Sequence, residues 1–159
     1  MNTAASDLAV HGPESEMPFP VAEQFIAATE RKFGVSFPPG FRARMSSQNG
    51  GVLSTDEDDW QLYPFFDTSD RKHLSRTCND IVRETITARE WRDFPPEGIA
   101  IADNGSGDYL VFLPLPGSTM LQANPFIWLH ESGELVATNI SFENTNSQIV
   151  ATFGVQYPN

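Results

Sequence analysis

Residues 101–114 read IADNGSGDYLVFLP. Two apolar runs flank a knot made of Asp103, Asn104, Gly105, Ser106, Gly107 and Asp108. The knot is either a cradle for an anion or a metal, or a bend between two strands. A dinucleotide fingerprint needs a third glycine three residues after the second. Leu110 stands there, and a strand follows where a helix should start. A phosphate loop needs Gly-Lys-Ser/Thr, and no lysine follows Lys72. A helix-loop-helix calcium loop counted from Asp103 puts Gly105 and Pro114 where oxygen ligands are required. What remains is a hairpin turn: Gly105 and Gly107 supply unusual backbone angles, and Asp103 and Asn104 supply local side-chain hydrogen bonds. This makes the C-terminal half β structure, with strands over Ile99 to Ala102 and Tyr109 to Leu113.

Outward from the knot, PFIWLHESGELVAT reads as a second hairpin: Phe126 to His130, a turn at Glu131 to Gly133, then Leu135 to Thr138. The tail after Ser141 fits a short helix or a strand equally. On the N-terminal side, VAEQFIAATERKFG has helical spacing, with Ala22, Ile26, Thr29 and Phe33 on one face and Phe25 beside it. Gly34 sits where a left-handed cap belongs, with Val35 as its apolar contact. Pro39 opens a second helix, PGFRARMSSQ, whose inner side carries Phe41 and Met45, and Asn49-Gly-Gly ends it. An acidic turn, STDEDD, leads into a strand at WQLYPFF, stopped or pushed to an edge by Pro64. DTSDRKHLSRTCNDIVRETITAREW is the longest helical signal, with Leu74, Cys78, Ile81, Val82, Thr85 and Ala88 as its buried stripe. Residues 1–18 are polar and are expected to form a flexible arm, leaving 19–159 as one domain.

The chain has 159 residues and a formal net charge of -11. All ten Lys and Arg lie between Arg31 and Arg92, and no base follows. Such a chain repels nucleic acid and anionic membranes and suits a cationic partner. Cys78 is the only cysteine, so no internal disulfide forms. The opening residues lack the basic and apolar stretches of a signal peptide, and a cytoplasmic location is expected.

No constellation rises to a catalytic signature. His11, His73 and His130 share no metal spacing. A Cys78–His130–Asp108 triad is conceivable, but a cysteine on a buried stripe lacks an activating pocket. No catalytic residue, cofactor or metal is therefore expected. The candidate partner contacts are Asp56, Glu57, Asp58 and Asp59, with Asp103 and Asp108 at the knot and Trp60 as an aromatic anchor.

The order of these pieces resembles the SUKH superfamily, the Smi/Knr-like domain, over residues 21–143. The marks are the helix ending in Phe33-Gly34, then VSFPPGF, a short helix ending in NGG, LYPF, a longer helix, the late GSGD and a Trp-containing strand. The resemblance implies an α+β fold, with helices packed against a mostly antiparallel sheet, and a non-enzymatic role. Bacterial single-domain members are similar to immunity proteins that bind and neutralise a cognate toxin, often a nuclease. Fungal relatives act as interaction hubs in cell-wall signalling. The leading expectation is a protein-binding module that neutralises a basic toxin domain. An adaptor with another partner and, more remotely, a small hydrolase are the alternatives.

Overall fold

A computed structural model describes residues 18–142. The arm, but for Pro18, and the tail 144–159 lie outside the described residues. The fold is α+β. Helices α1 (Glu23–Phe33) and α2 (Pro39–Ser47) precede strands β1 (Gly51–Ser54) and β2 (Asp59–Leu62). Helices α3 (Arg71–Arg76) and α4 (Ile81–Ala88) follow, then β3 (Ile99–Asp103), β4 (Tyr109–Phe112), β5 (Phe126–Trp128) and β6 (Leu135–Ala137). The six strands form one antiparallel sheet in the order of the chain, β1-β2-β3-β4-β5-β6.

The local signals at α1 and α2 act as their chemistry requires. Gly34 takes the left-handed cap of α1, with φ of 68°, and its N–H and that of Val35 both donate to the Glu30 carbonyl. Pro39 is the first residue of α2. The Arg42 guanidinium then ties the two helices together through Glu23 and Glu30.

The core sits where α2 and the segment after β2 meet the sheet. Phe37, Phe41, Phe65, Phe112 and Phe142 are all buried. Their rings meet edge-on or tilted, with centroids 5.1 Å apart for Phe41–Phe112 and Phe41–Phe142 and 5.3 Å for Phe37–Phe65. On β4, Phe112 and Leu110 face this cluster, while Tyr109 and Val111 face the other way. That second face is covered by Phe94, whose ring lies 5.3 Å from Trp128 and 5.8 Å from Tyr109. Both faces of β4 are therefore buried, which explains its unbroken apolar run.

Three differences from the sequence-based expectations have local causes. First, β1 lies between NGG and the acidic turn, where no element is expected. It has four residues, of which only Leu53 is buried, so no alternation is long enough to see. With β1 on one side and β3 on the other, β2 is interior, and Pro64 stops it rather than moving it to an edge. Second, the long helix is two. The Asp80 carboxylate accepts the Arg83 N–H and starts α4 afresh, so the helical stripe does not run through Thr77–Asp80. Third, that break rotates Leu74 and Cys78 out of the stripe, and both are exposed.

Past the end of β2, α4 takes over beside β3. The β2 register stops at Ala102, and the Ala100 N–H donates to Thr85 Oγ1 (2.9 Å), which also donates to the Ala100 carbonyl (3.4 Å). Just beyond the same C-terminal end of β2, on the side of β1, the buried Asn49 side chain makes two bonds with one backbone residue. Its Nδ2 donates to the Phe65 carbonyl (2.9 Å), and its Oδ1 accepts the Phe65 N–H (2.7 Å). Replacing Asn49→Ala leaves both groups buried without partners. We expect a loss of about 2–4 kcal/mol, since each orphaned group costs about 1–3 kcal/mol, measured as a lower urea midpoint. An unchanged midpoint would show that the pair is not structural.

Candidate functional site

Because the sheet is a continuous antiparallel run, its first, third and fifth connections within pairs emerge at one end. These are residues 55–58, 104–108 and 129–134. Side chains join them. Asn104 Nδ2 donates to Asp58 Oδ2 (3.2 Å) and to Asp108 Oδ2 (3.3 Å). Asp108 Oδ1 accepts the His130 N–H (3.1 Å) and lies 2.8 Å from His130 Nδ1. An ionised carboxylate only accepts, so Nδ1 carries the proton.

The GSGD knot is a turn, held by its own residues. Asp103 Oδ1 accepts the Gly105 N–H, and Asn104 Oδ1 accepts the N–H groups of Ser106 and Asp108. Its glycine at 107 has a particular reason. With φ of +105°, a Cβ there would also lie 3.0 Å from the His130 ring. Gly107 thus lets the ring come close enough to reach Asp108. Asp103 is anchored from below by the Tyr63 hydroxyl, which donates to Oδ2 at 2.6 Å. Burial first, then this bond to a carboxylate, hold the Tyr63 hydroxyl well above its usual pKa and keep it protonated.

The sequence-predicted residues divide into three groups. Asp56, Glu57 and Asp59 are exposed, and with Thr55, Asp58 and Asn104 they line an open depression. Asp58, Asp103 and Asp108 are half-buried and hold the loops in place through one carboxylate oxygen or both. Trp60 is a correction. Its side chain is 0% exposed on the core side of β2, so it cannot serve as a surface anchor. Its Nε1 is buried without a hydrogen-bond partner among the described residues.

Sequence reasoning missed Glu131 and Glu134, which the last hairpin brings to the same end, and Asn104, which ties two loops together. The signal was present in the parity of the hairpins. It was unreadable because the sequence does not show which strands lie side by side in the sheet.

No triad forms around Cys78. His130 is engaged by Asp108, while the Cys78 thiol donates to the Leu74 carbonyl, and no hydrogen bond joins it to either residue. Among the described residues, no three His, Cys, Asp or Glu side chains converge to hold a metal ion. No helix among them is long and apolar enough to cross a membrane.

Fold and loops together define an α+β domain that presents acidic hairpin turns at one end of an antiparallel sheet. The chain belongs to the SMI1 / KNR4 family (SUKH-1), whose model matches residues 20–145. No curated protein and no solved structure matches it. Membership is consistent with an immunity-type role and with binding of protein partners in general.

Burial raises the Asp108 carboxyl pKa, but hydrogen bonds from His130 and Asn104 outweigh it and hold the group below its usual range. A depressed carboxyl contributes stability above its unfolded pKa of about 3.9, and that contribution is lost as pH falls through the folded value. We expect Asp108→Asn to cost about 1 kcal/mol at neutral pH, less than a fully buried charged hydrogen bond because the site is partly solvated. The difference from the parent should shrink below about pH 4. Urea midpoints across pH 3 to 7 would check this, with a constant gap counting against it.

Proposed function

We propose that the protein is an immunity-type binding protein that neutralises a cationic toxin domain, with a nuclease as the best-matched kind. The carrying observation is the convergence of three acidic hairpin loops on one end of a sheet, held open by their own hydrogen bonds. A nuclease must bind a polyanion, so its cleft is lined with Lys and Arg. An acidic surface competes for that cleft and speeds encounter by long-range attraction. Exposed Asp56, Glu57 and Asp59 reach furthest, and Asp58, Asp103 and Asp108 supply the field behind them. Glu131 and Glu134 extend the same surface. The loops are preorganised, which lowers the entropic cost of docking.

An acidic end of this kind also serves an adaptor with a non-toxin partner, and partner identity separates the two. The test is binding of the chain to the toxin domain encoded beside its gene, across a salt series. We expect affinity to fall about tenfold or more between about 0.05 and 0.3 M salt. The triple variant Asp56→Asn, Glu57→Gln, Asp59→Asn should slow association by about tenfold with little change in dissociation. Salt-independent binding would remove the electrostatic mechanism, and absence of binding would remove the immunity role.

A further inference from the structure

Away from the acidic end, α1 and α4 leave a groove between them of about 650 Å³. Its floor is apolar. Phe25 lies along α1, and Phe66 and Ile86 remain 40% and 57% exposed. Single exposed apolar side chains are ordinary, but a contiguous apolar groove marks a contact site. Its rim is cationic: Arg31, Lys32 and Arg83 line it, and none forms an ion pair among the described residues. The one carboxylate in the lining, Asp80, is occupied by the Arg83 N–H at the start of α4. In a chain of net charge -11, an apolar groove with a cationic rim calls for an occupant that is apolar and acidic.

The chain contains such a segment. Residues 1–17, MNTAASDLAVHGPESEM, carry Asp7, Glu14 and Glu16 with no Lys or Arg, and they include Leu8 and Val10. They join the described residues at Pro18, shortly before α1, which is one wall of the groove. Seventeen extended residues reach about 56 Å, whereas α1 is about 17 Å long. The arm can therefore reach the groove and lie along it. A tether of this length holds it there at high effective concentration. The tail 143–159 has a single acid, Glu143, and matches the rim poorly. We propose that residues 1–17 dock in the α1–α4 groove of their own chain. Leu8 and Val10 fill the apolar floor, the carboxylates face Arg31, Lys32 and Arg83, and any partner for this face must displace the arm.

The chain has only two lysines, Lys32 and Lys72, and Lys32 is the one on the groove. Zero-length carbodiimide coupling of the full chain, mixed from unlabelled and isotope-labelled copies, followed by mass spectrometry of the monomer and any covalent dimer, reads the contact directly. We expect amide links from Lys32 to Asp7, Glu14 or Glu16. They should fall about fivefold or more in Ile86→Ser, in Arg83→Ser and at about 1 M salt, where such charges are screened. Both substitutions are at exposed positions, and circular dichroism would confirm that the variants fold. Four outcomes would overturn the proposal. One is no link between Lys32 and the arm, and another is a link that both variants leave unchanged. The third is coupling of Lys32 to Glu143 instead. The fourth is a link found only between isotopically distinct copies, which would assign the groove to a neighbour's arm.

Discussion

The amide of Asn49 meeting the backbone of Phe65 is the constraint on which the rest of the structure depends. One short side chain copies both halves of a strand pairing. It joins the end of α2 to the chain emerging from β2, across sixteen positions of sequence. On one side it places Phe65 against Phe37 and Phe41, which closes the aromatic cluster. On the other it sets the point from which Gly50 and Gly51, with φ of 117° and 90°, turn the chain into β1. The β1–β2 hairpin, and with it the loop of Asp56 to Asp59, is aimed by this contact. Aspartate there would offer no N–H to the Phe65 carbonyl, and glutamine would overshoot by a methylene.

From that anchor, charge placement follows from topology. An antiparallel meander sends alternate turns to opposite ends. Acids in three alternate turns therefore sum their fields at one end, although they are scattered over about eighty residues of sequence. Gathering like charge opposes folding. The compensation is local: donors from Asn104, Tyr63, His130 and the backbone of the knot satisfy the inner carboxylates, leaving the outermost ones free. A glycine-rich bend that resembles an anion cradle in sequence thus serves the reverse purpose. The amides of Gly105, Ser106 and Asp108 are turned on its own Asp and Asn side chains and are not available to a phosphate.

What the sequence made legible was chemistry confined to a few neighbouring residues. The knot, the cap at Gly34, the proline at the start of α2 and the last hairpin each rest on backbone preferences within a handful of positions. The helix-and-sheet class followed from these. The misreadings share a cause, which is that a periodic or charged stretch outweighed a short local signal within it. Apolar spacing from Leu74 to Ala88 continues through a point where Asp80 restarts the helix. Trp60 looked like an anchor because it borders four acids, yet strand alternation turns it inward opposite Leu53. Of the candidate contacts, exposed Asp56, Glu57 and Asp59 were legible as a charged loop. The joining of that loop to Asp108 was not, since it depends on which strands lie side by side in the sheet.

The cations complete the pattern. A chain with an acidic end and a basic patch is at risk of head-to-tail association, since complementary but different surfaces build open chains. Here half of the ten basic side chains are engaged at home. Arg42 is held by Glu23 and Glu30, Arg44 bonds the carbonyls of Gln48 and Gly50, and Arg89 bonds that of Gly98. Lys72 and Arg76 lie over the ring of Phe19. Those bordering the α1–α4 groove are not so engaged, and they are the positive charge best placed to attract the acidic end of another copy. An acidic segment of the same chain lying over them would neutralise that patch and cover the apolar floor together. The dominant long-range field would then be the negative one at the loop end, which is the condition for selecting a cationic partner over a second copy.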